Sequence, residues 1–431
     1  MDGRASSQTI TDKIPYFLTA GVEPIVFSAI TGIKDKRFDH KQFLAWGPAA
    51  FRFDFRHWIA NQYGRGLFYK ISTGLISLLL APFIVIEKFF LGYSSQWSWA
   101  IPAFIHGLKL IRSGQVDLIY STGGAWSAHL AALWLRKKTR LPWIAEIHDP
   151  LIIRNNITDE GFEKPKNRDA QFRQYLEKQI CKYANLVWWF TDGALHYAKV
   201  RNTNLNTPNN ARGCVVIPGA QPPVNLNESS KHSRHTYSEK LNLCHFGSLA
   251  KDRSLSTILK AIIELVKEYP EAREKIQVHA YGAPLDELTK QAIEKFNYSD
   301  VLIAHGRLEK DPVTGKSGRE RVVEKMQTAD ILILLHGNDE WCAEYIPSKY
   351  YEYLWTGRPI WALSHRNAQL DALLEERGAY LSHASDEKSI NIALEKIWLD
   401  WKNQQLVEPK WLPIGVDQAV TKILSEVQKI T

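Results

Sequence analysis

The sequence predicts an α/β protein built from two doubly wound, Rossmann-like domains facing a central cleft. Three observations predict it. The chain has 431 residues, more than one ordinary hydrophobic core accommodates. Short apolar runs alternate with segments of helical period, and they do so in two successive series. Between the series lies AQPPVNLNESSKHSRHTYSEK (220–240), polar and without apolar period, which reads as an inter-domain connection. The expected division is a first domain over 1–222, a linker over 223–240, a second domain over 241–412 and a C-terminal helix over 413–431 returning to the first domain.

The first series opens with the helix-like DKIPYFLTAG, followed by EPIVFS (23–28) as a strand. VDLIYST (116–122) is a strand stopped by Gly123 and Gly124, and AWSAHLAALWLRKK after it puts Leu130, Leu133 and Trp134 on one helix face. PWIAEIHD (142–149) is a strand ended by Pro150, and ANLVWWFT (184–191) and GCVVIPG (213–219) are two more. The second series runs strand 241–248, helix 254–270, strand 275–282, helix 285–296, strand 301–306 and helix 319–330. It continues with strand 331–337, helix 348–357 closed by Gly357, strand 358–363 and helix 370–378. The tail, 386–430, is helical on both sides of a break at LPIGV. Ligands of open parallel sheets collect at the carboxyl ends of the strands.

One stretch stands outside this pattern. ISTGLISLLLAPFIVI (71–86) is uncharged over 16 residues but contains Pro82, Ser72, Thr73 and Ser77. A span needs about 20 apolar residues. The segment is open to three readings: a buried or partly buried helix of a domain, a helix in a membrane interface touching lipid over 71–91, or a true span. Arg52, Arg56, Arg65 and Lys70 precede it and Lys109 and Arg112 follow. They suit anionic head groups or simply a solvated face.

Composition narrows the function. Apolar residues are 45% and charged residues 23%, the balance of a soluble globular chain. The 54 Lys and Arg against 46 Asp and Glu give +8, a modest excess that suits phosphate handling or an anionic surface. No aromatic-basic RNA motif or zinc-knuckle spacing is present, so nucleic acid is not an expected partner. The four cysteines, Cys181, Cys214, Cys244 and Cys342, form no C-x-x-C pair, as in a reducing cytoplasm. The opening MDGRASSQTITDK is polar and is not a secretory signal. The expected place is therefore the cytoplasm, with or without contact to the inner face of the membrane.

The chemistry concentrates in EYIPSKYYEYLWTGRPI. After Ile346, Pro347 and Ser348 mark the start of a helix, with Pro tolerated in a first turn and Ser able to cap. A helix N-terminus attracts phosphate oxygens, and Lys349 adds a full charge. Glu352, one turn in, can accept hydrogen bonds from the two hydroxyls of a ribose. Glu344, eight positions earlier, can do the same for a sugar. A diphosphate flanked by a ribose and a hexose is a nucleotide sugar. A bare glutamate pair at this spacing means only solvated helix charges; the whole I-P-S-K-x-x-E-Y-x-x-x-G-x-P-I frame is far more specific.

This frame resembles the signature of the large retaining glycosyltransferase family of GT-B fold, family four, and the resemblance covers about residues 20–425. It implies that Glu352 binds the ribose and Glu344 contacts the donor sugar. CHFGSLAKDRSLSTILKAI is similar to the first strand, glycine loop and helix of that family's C-terminal domain. Gly247 would let the backbone approach the ligand, and Lys251 and Arg253 would reach the diphosphate, unless they are plain loop cations. AEIHDP resembles the strand end near the transferred sugar, implying roles for His148 and Asp149 that compete with a simple turn. Gly123 and Gly124 either shape an acceptor pocket or form a tight turn.

The resemblance implies transfer from a UDP- or GDP-sugar to an acceptor hydroxyl with retention, the diphosphate itself taking the acceptor proton. No D-x-D pair sits in a suitable loop, so no metal and no cofactor beyond the co-substrate is expected. The apolar segment suits a saccharide or lipid-linked acceptor in surface polysaccharide assembly. Two alternatives stay open: a nucleotide-sugar epimerase on the same fold, and a catalytically silent nucleotide-sugar-binding protein. The family's usual first strand and glycine loop have no counterpart before Met1–Arg4, implying a differently built N-terminus or a later start.

Overall fold

The computed structural model describes all residues except 1–4, 33, 94, 153–156, 159–160, 163–166, 224–236 and 431. Met1–Arg4 and most of the 223–240 connection therefore lie outside the described residues. The chain divides into two compact units: residues 1–218 with 416–431, and residues 219–415. The boundaries expected from sequence were 222 and 412.

Unit 1 begins with α1 (Ala5–Thr19), β1 (Ile25–Ala29) and β2 (Asp39–Phe43). The helices α2 (Pro48–Tyr63), α3 (Leu67–Phe90) and α4 (Ala100–Arg112) follow. Then come β3 (Ile119–Gly123), α5 (Trp126–Thr139), β4 (Trp143–Ile147), and the two-residue strands β5 (Ile157–Thr158) and β6 (Gly161–Phe162). The unit continues with α6 (Arg168–Tyr183), β7 (Leu186–Trp189), α7 (Asp192–Arg201) and β8 (Arg212–Val215). It closes with α15 (Val416–Val427), which belongs to this unit although unit 2 intervenes in sequence.

The main sheet of unit 1 is parallel, in the order β3-β4-β7-β8. WIAEI and LVWW are buried at every position, as strands covered on both faces must be. Trp143, Trp188 and Trp189 are almost wholly enclosed. Each contributes about 4–6 kcal/mol of transfer free energy as an upper estimate. That outweighs the cost of one well-paired carboxylate, Glu146, in the middle strand. The sequence placed the 23–28 strand in this sheet. The structure instead pairs β1 in parallel with β2, DHKQF, a strand too polar to read from sequence, and the two form a separate ribbon. Helices α6 and α7 also escaped the sequence reading. Their starts are set by side-chain caps, Asn167 accepting from the Ala170 N–H at 2.8 Å and Thr191 accepting from the Ala194 N–H at 3.0 Å.

Helix α3 narrows the readings of the apolar segment. Over its 24 residues only Thr73 and Ile84 are buried, so it is not a fully buried helix, and the partly buried, interfacial and spanning readings stay open. It extends four residues to either side of 71–86.

Unit 2 contains β9 (Leu241–Gly247), α8 (Ser256–Glu268), α9 (Ala272–Lys275), β10 (Ile276–Gly282) and α10 (Glu287–Phe296). Next are β11 (Leu302–Gly306), α11 (Gly318–Gln327), β12 (Ile331–Leu335), α12 (Ser348–Tyr353) and β13 (Ile360–Ser364). Helix α13 (Ala368–Glu376), β14 (Tyr380–His383) and α14 (Glu387–Lys402) complete it. Its six-stranded sheet is wholly parallel, in the order β11-β10-β9-β12-β13-β14. Ile258, Leu259, Ile262 and Leu265 give α8 one buried stripe against this core. Strand order reverses between β9 and β12. The carboxyl ends of those two strands, at Gly247 and His336, are where an open parallel sheet offers a ligand site.

Candidate functional site

Beyond β9 the backbone turns at Gly247, φ +140°, a conformation closed to most L-residues. Gly282 at the end of β10, φ +129°, lies against it: a Cβ there would sit 2.3 Å from the Gly247 carbonyl oxygen. A tight turn follows, with reciprocal backbone hydrogen bonds between Ala250 and Arg253 of 3.2 and 2.9 Å. It lifts Lys251 into solvent and half-buries Asp252 and Arg253. The Arg253 Nε is buried without a hydrogen-bond partner among the described residues; its nearest carboxylate is Asp252, 3.6 Å away.

Beyond β12 the chain forms a pinned loop. The His365 N–H donates to His336 Nδ1 at 3.3 Å, so the proton of this ring sits on Nε2, which donates to the Tyr345 carbonyl at 2.9 Å. Burial pushes His336 down to about 4, consistent with that neutral ring. Asn367, the cap of α13, donates to the carbonyls of Cys342 and Tyr345 at 2.9 and 2.8 Å. Gly337, φ +122°, brings this loop against the first, since a Cβ there would lie 3.4 Å from Asp252 Oδ2.

Glu344 ends the short helical turn Glu340–Glu344 inside this loop and is 2% exposed. Ile346 is buried, Pro347 is half-buried and Ser348 is exposed. The expected serine cap is not formed. Pro347 occupies the cap position without a side-chain hydrogen bond and Ser348 is the first helical residue. The helix expected over 348–357 ends at Tyr353, and the chain turns to Gly357 at φ +65°. Six residues make a weak dipole, so any diphosphate here depends on side-chain cations.

Those cations surround Glu352. Its carboxylate, 12% exposed, accepts from Lys349 Nζ at 2.9 Å and from Arg319 at 2.6 Å. Burial drives its pKa up, but the two cations more than offset that, and the net shift is downward. Arg319, on the first turn of α11, went unnoticed in the sequence reading. Nothing in its local pattern marks it, because its partner lies 33 residues away.

A second cluster occupies the carboxyl ends of β3 and β4 in unit 1. A Cβ on Gly124 would sit 3.2 Å from Asp149 Oδ2, so the structure brings Gly123, Gly124, His148 and Asp149 together. His148 Nε2 lies 3.1 Å from both Glu146 Oε1 and Thr122 Oγ1, and its ring rests on Phe190 at 4.7 Å. Glu146 was missed, although a carboxylate inside the apolar run PWIAEIHD signals a buried partner. It pairs with Lys13 of α1 and accepts from Tyr120 and from Thr122, the last at 2.7 Å. Burial pushes the Glu146 carboxyl up, but Lys13 and His148 bring it well below the usual range. Burial and that carboxylate hold the Tyr120 hydroxyl protonated far above its ordinary range. Among the described residues no three His, Cys, Asp or Glu side chains gather as a metal site.

With this geometry in view, the similarity to solved structures is informative. Trehalose-6-phosphate synthase OtsA superposes with a TM-score of 0.57 at 12% identity, covering 99% of this chain and 94% of its own. The E. coli trehalose-6-phosphate protein bound with UDP-2-fluoro glucose gives 0.61 at 13%, covering 98% and 96%. An α,α-trehalose-phosphate synthase (UDP-forming) from Burkholderia vietnamiensis gives 0.51 at 10%, covering 78% and 79%. The chain has the GT-B fold of these glycosyltransferases. At such identities the likeness speaks for the fold. No protein-family model and no curated protein sequence matches the chain.

Proposed function

We propose that the protein transfers a glycosyl unit from a nucleoside-diphosphate sugar to an acceptor hydroxyl, with retention and without a metal. The observation that carries this reading is Glu352, held ionised between Lys349 and Arg319 beside the strand-order reversal of unit 2. A buried, ionised carboxylate accepts from a ribose diol at full charge-assisted strength. Arg253, Lys251 and Lys349 supply the charge that a leaving diphosphate needs. The solved E. coli trehalose-6-phosphate protein bound with UDP-2-fluoro glucose, which shares the fold, is in keeping with a UDP-sugar donor.

In the step itself the bond from the anomeric carbon to the diphosphate oxygen breaks. The acceptor oxygen bonds that carbon on the same face, and the acceptor proton passes to the departing diphosphate. Glu344 is assigned to the donor sugar; at 2% exposure it reaches a ligand only if the Glu340–Glu344 turn shifts. His148 and Asp149 are assigned to the transferred sugar and Gly123 and Gly124 to the acceptor, taken to be a lipid-linked saccharide of surface polysaccharide assembly at the cytoplasmic side.

Two measurements test the reading. Calorimetry with UDP and GDP on the wild type and on Glu352→Ala should show a loss of roughly tenfold to a hundredfold, the worth of about 1.5–3 kcal/mol of charge-assisted hydrogen bonding. Unchanged binding, or none in the wild type, sinks the proposal. Incubation with labelled UDP- and GDP-sugars, with and without membrane lipid extract, should give lipid-dependent incorporation. Free isomerised sugar nucleotide would point to an epimerase instead, and binding without turnover to a silent binding protein.

A further inference from the structure

The outer surface of α3 has its polarity reversed. The residues turned toward the protein recur at Tyr69, Ser72, Thr73, Ile76, Ser77, Leu80, Ile84 and Glu87, a single stripe at helical spacing. That stripe carries the polar groups. Thr73 and Ser77 donate to carbonyls four residues back, at 2.7 and 2.6 Å, and Glu87 accepts from the Ala49 N–H at 2.9 Å and from Trp97 Nε1 at 2.7 Å. The rest of the circumference is apolar and open, with Leu75, Leu78, Phe83, Val85 and Phe89 each more than half exposed. A helix of a water-soluble domain has the opposite arrangement.

We propose that α3 is a lipid-docking element, lying in the plane of one leaflet of an anionic bilayer with this outer face in the acyl boundary. Charge supports that occupant. Lys70 and Lys88 are exposed at the two ends, about 27 Å apart at 1.5 Å per residue, and Arg56 and Arg65 are exposed nearby. The only acidic side chain on the helix, Glu87, is turned inward and hydrogen-bonded. Cations at the margins of an apolar band match phosphate head groups on either side of an acyl surface. A second copy of the chain would cover one strip of so wide a face, whereas acyl chains conform to all of it. The plane orientation follows from α2, which packs along the inner stripe and carries Arg52, Asp54, Arg56 and His57. A spanning α3 would carry those charges into hydrocarbon.

This surface is independent of the donor reading, and its test uses the full chain without nucleotide. Flotation with vesicles of phosphatidylcholine plus phosphatidylglycerol compares the wild type, the double variant Leu78→Glu with Phe83→Glu, and Lys70→Glu with Lys88→Glu. All four positions are exposed, and matching melting curves verify folding. The expected result is flotation of the wild type, at least a tenfold loss for the first variant, and a smaller loss for the second that disappears on phosphatidylcholine alone. Wild type that stays at the bottom, or variants that float equally, overturn the proposal. So does a dimer in light scattering that the first variant dissolves without any vesicle binding. Resistance to carbonate extraction with protease protection of only one end overturns the in-plane placement in favour of a span.

Discussion

Each unit holds a carboxylate clamped by a lysine, but the two clamps are built differently. Glu352 of unit 2 sits on a short helix, and one of its partners, Lys349, is a near neighbour in sequence. Glu146 of unit 1 is the fourth residue of a fully buried five-residue strand, and its main partner, Lys13, comes from 133 residues away. Glu352 keeps 12% of its side chain in solvent, whereas Glu146 has none. The first is a carboxylate that a ligand can compete for. The second is a fixed internal charge that holds His148, Thr122 and Tyr120 in place and ties α1 to the sheet. The same chemistry is thus left partly open to solvent in unit 2 and closed into the architecture in unit 1.

The largest effect that would break this contrast is Lys13→Met. It leaves Glu146 buried without its nearest cation, and chemical denaturation should show a loss of about 3–5 kcal/mol. A loss below about 1 kcal/mol, the range of exposed ion pairs, would mean the unit 1 clamp is no more architectural than the one in unit 2.

Acidification tests the loop beside Glu352. Burial pushes His336 from its ordinary 6.5 to about 4 in the fold. Between those two values the unfolded chain binds a proton that the folded chain refuses. The stability present above pH 6.5 is therefore lost as pH falls toward 4, by up to about 3 kcal/mol for this ring at 1.36 kcal/mol per unit. Denaturation at pH 7 and pH 4.5 on the wild type and on His336→Asn should show a shallower fall in the variant. Equal slopes would remove His336 from the explanation.

Two glycines sharpen the comparison on a smaller scale. Gly282→Ala in unit 2 drives a Cβ into backbone, 2.3 Å from the Gly247 oxygen, at a φ of +129°. Strain and overlap together should cost about 2–3 kcal/mol in a melting experiment. Gly124→Ala in unit 1 meets only the exposed Asp149 carboxylate, at 3.2 Å, and its φ is not positive. A cost under about 1 kcal/mol is expected there, since a surface side chain can give way. Similar costs at both sites would show that the unit 1 turn is as tightly built as the unit 2 turn.

Much of unit 2 was legible. ILILL and PIWAL are continuous apolar runs because strands of a parallel sheet are covered on both faces, and the amphipathic period of 254–270 is a local property of the chain. The glutamate spacing around I-P-S-K was legible for the same reason: its members are neighbours in sequence. Less could be read in unit 1. DHKQF carries no strand pattern, and it became one by pairing with IVFSA. Arg319 and Lys13 bear no local mark, since each is defined by a partner dozens of residues away.

The sequence by itself determined the two α/β series, the apolar character of 71–86 and the frame around Glu352, because periodicity and short-range spacing are written in adjacent residues. The tertiary structure alone decided which face of α3 turns outward, that Ser348 does not cap its helix, and that Lys13 closes on Glu146. Those outcomes depend on which surfaces meet when distant segments pack, and on the strong penalty for leaving a buried charge without a partner.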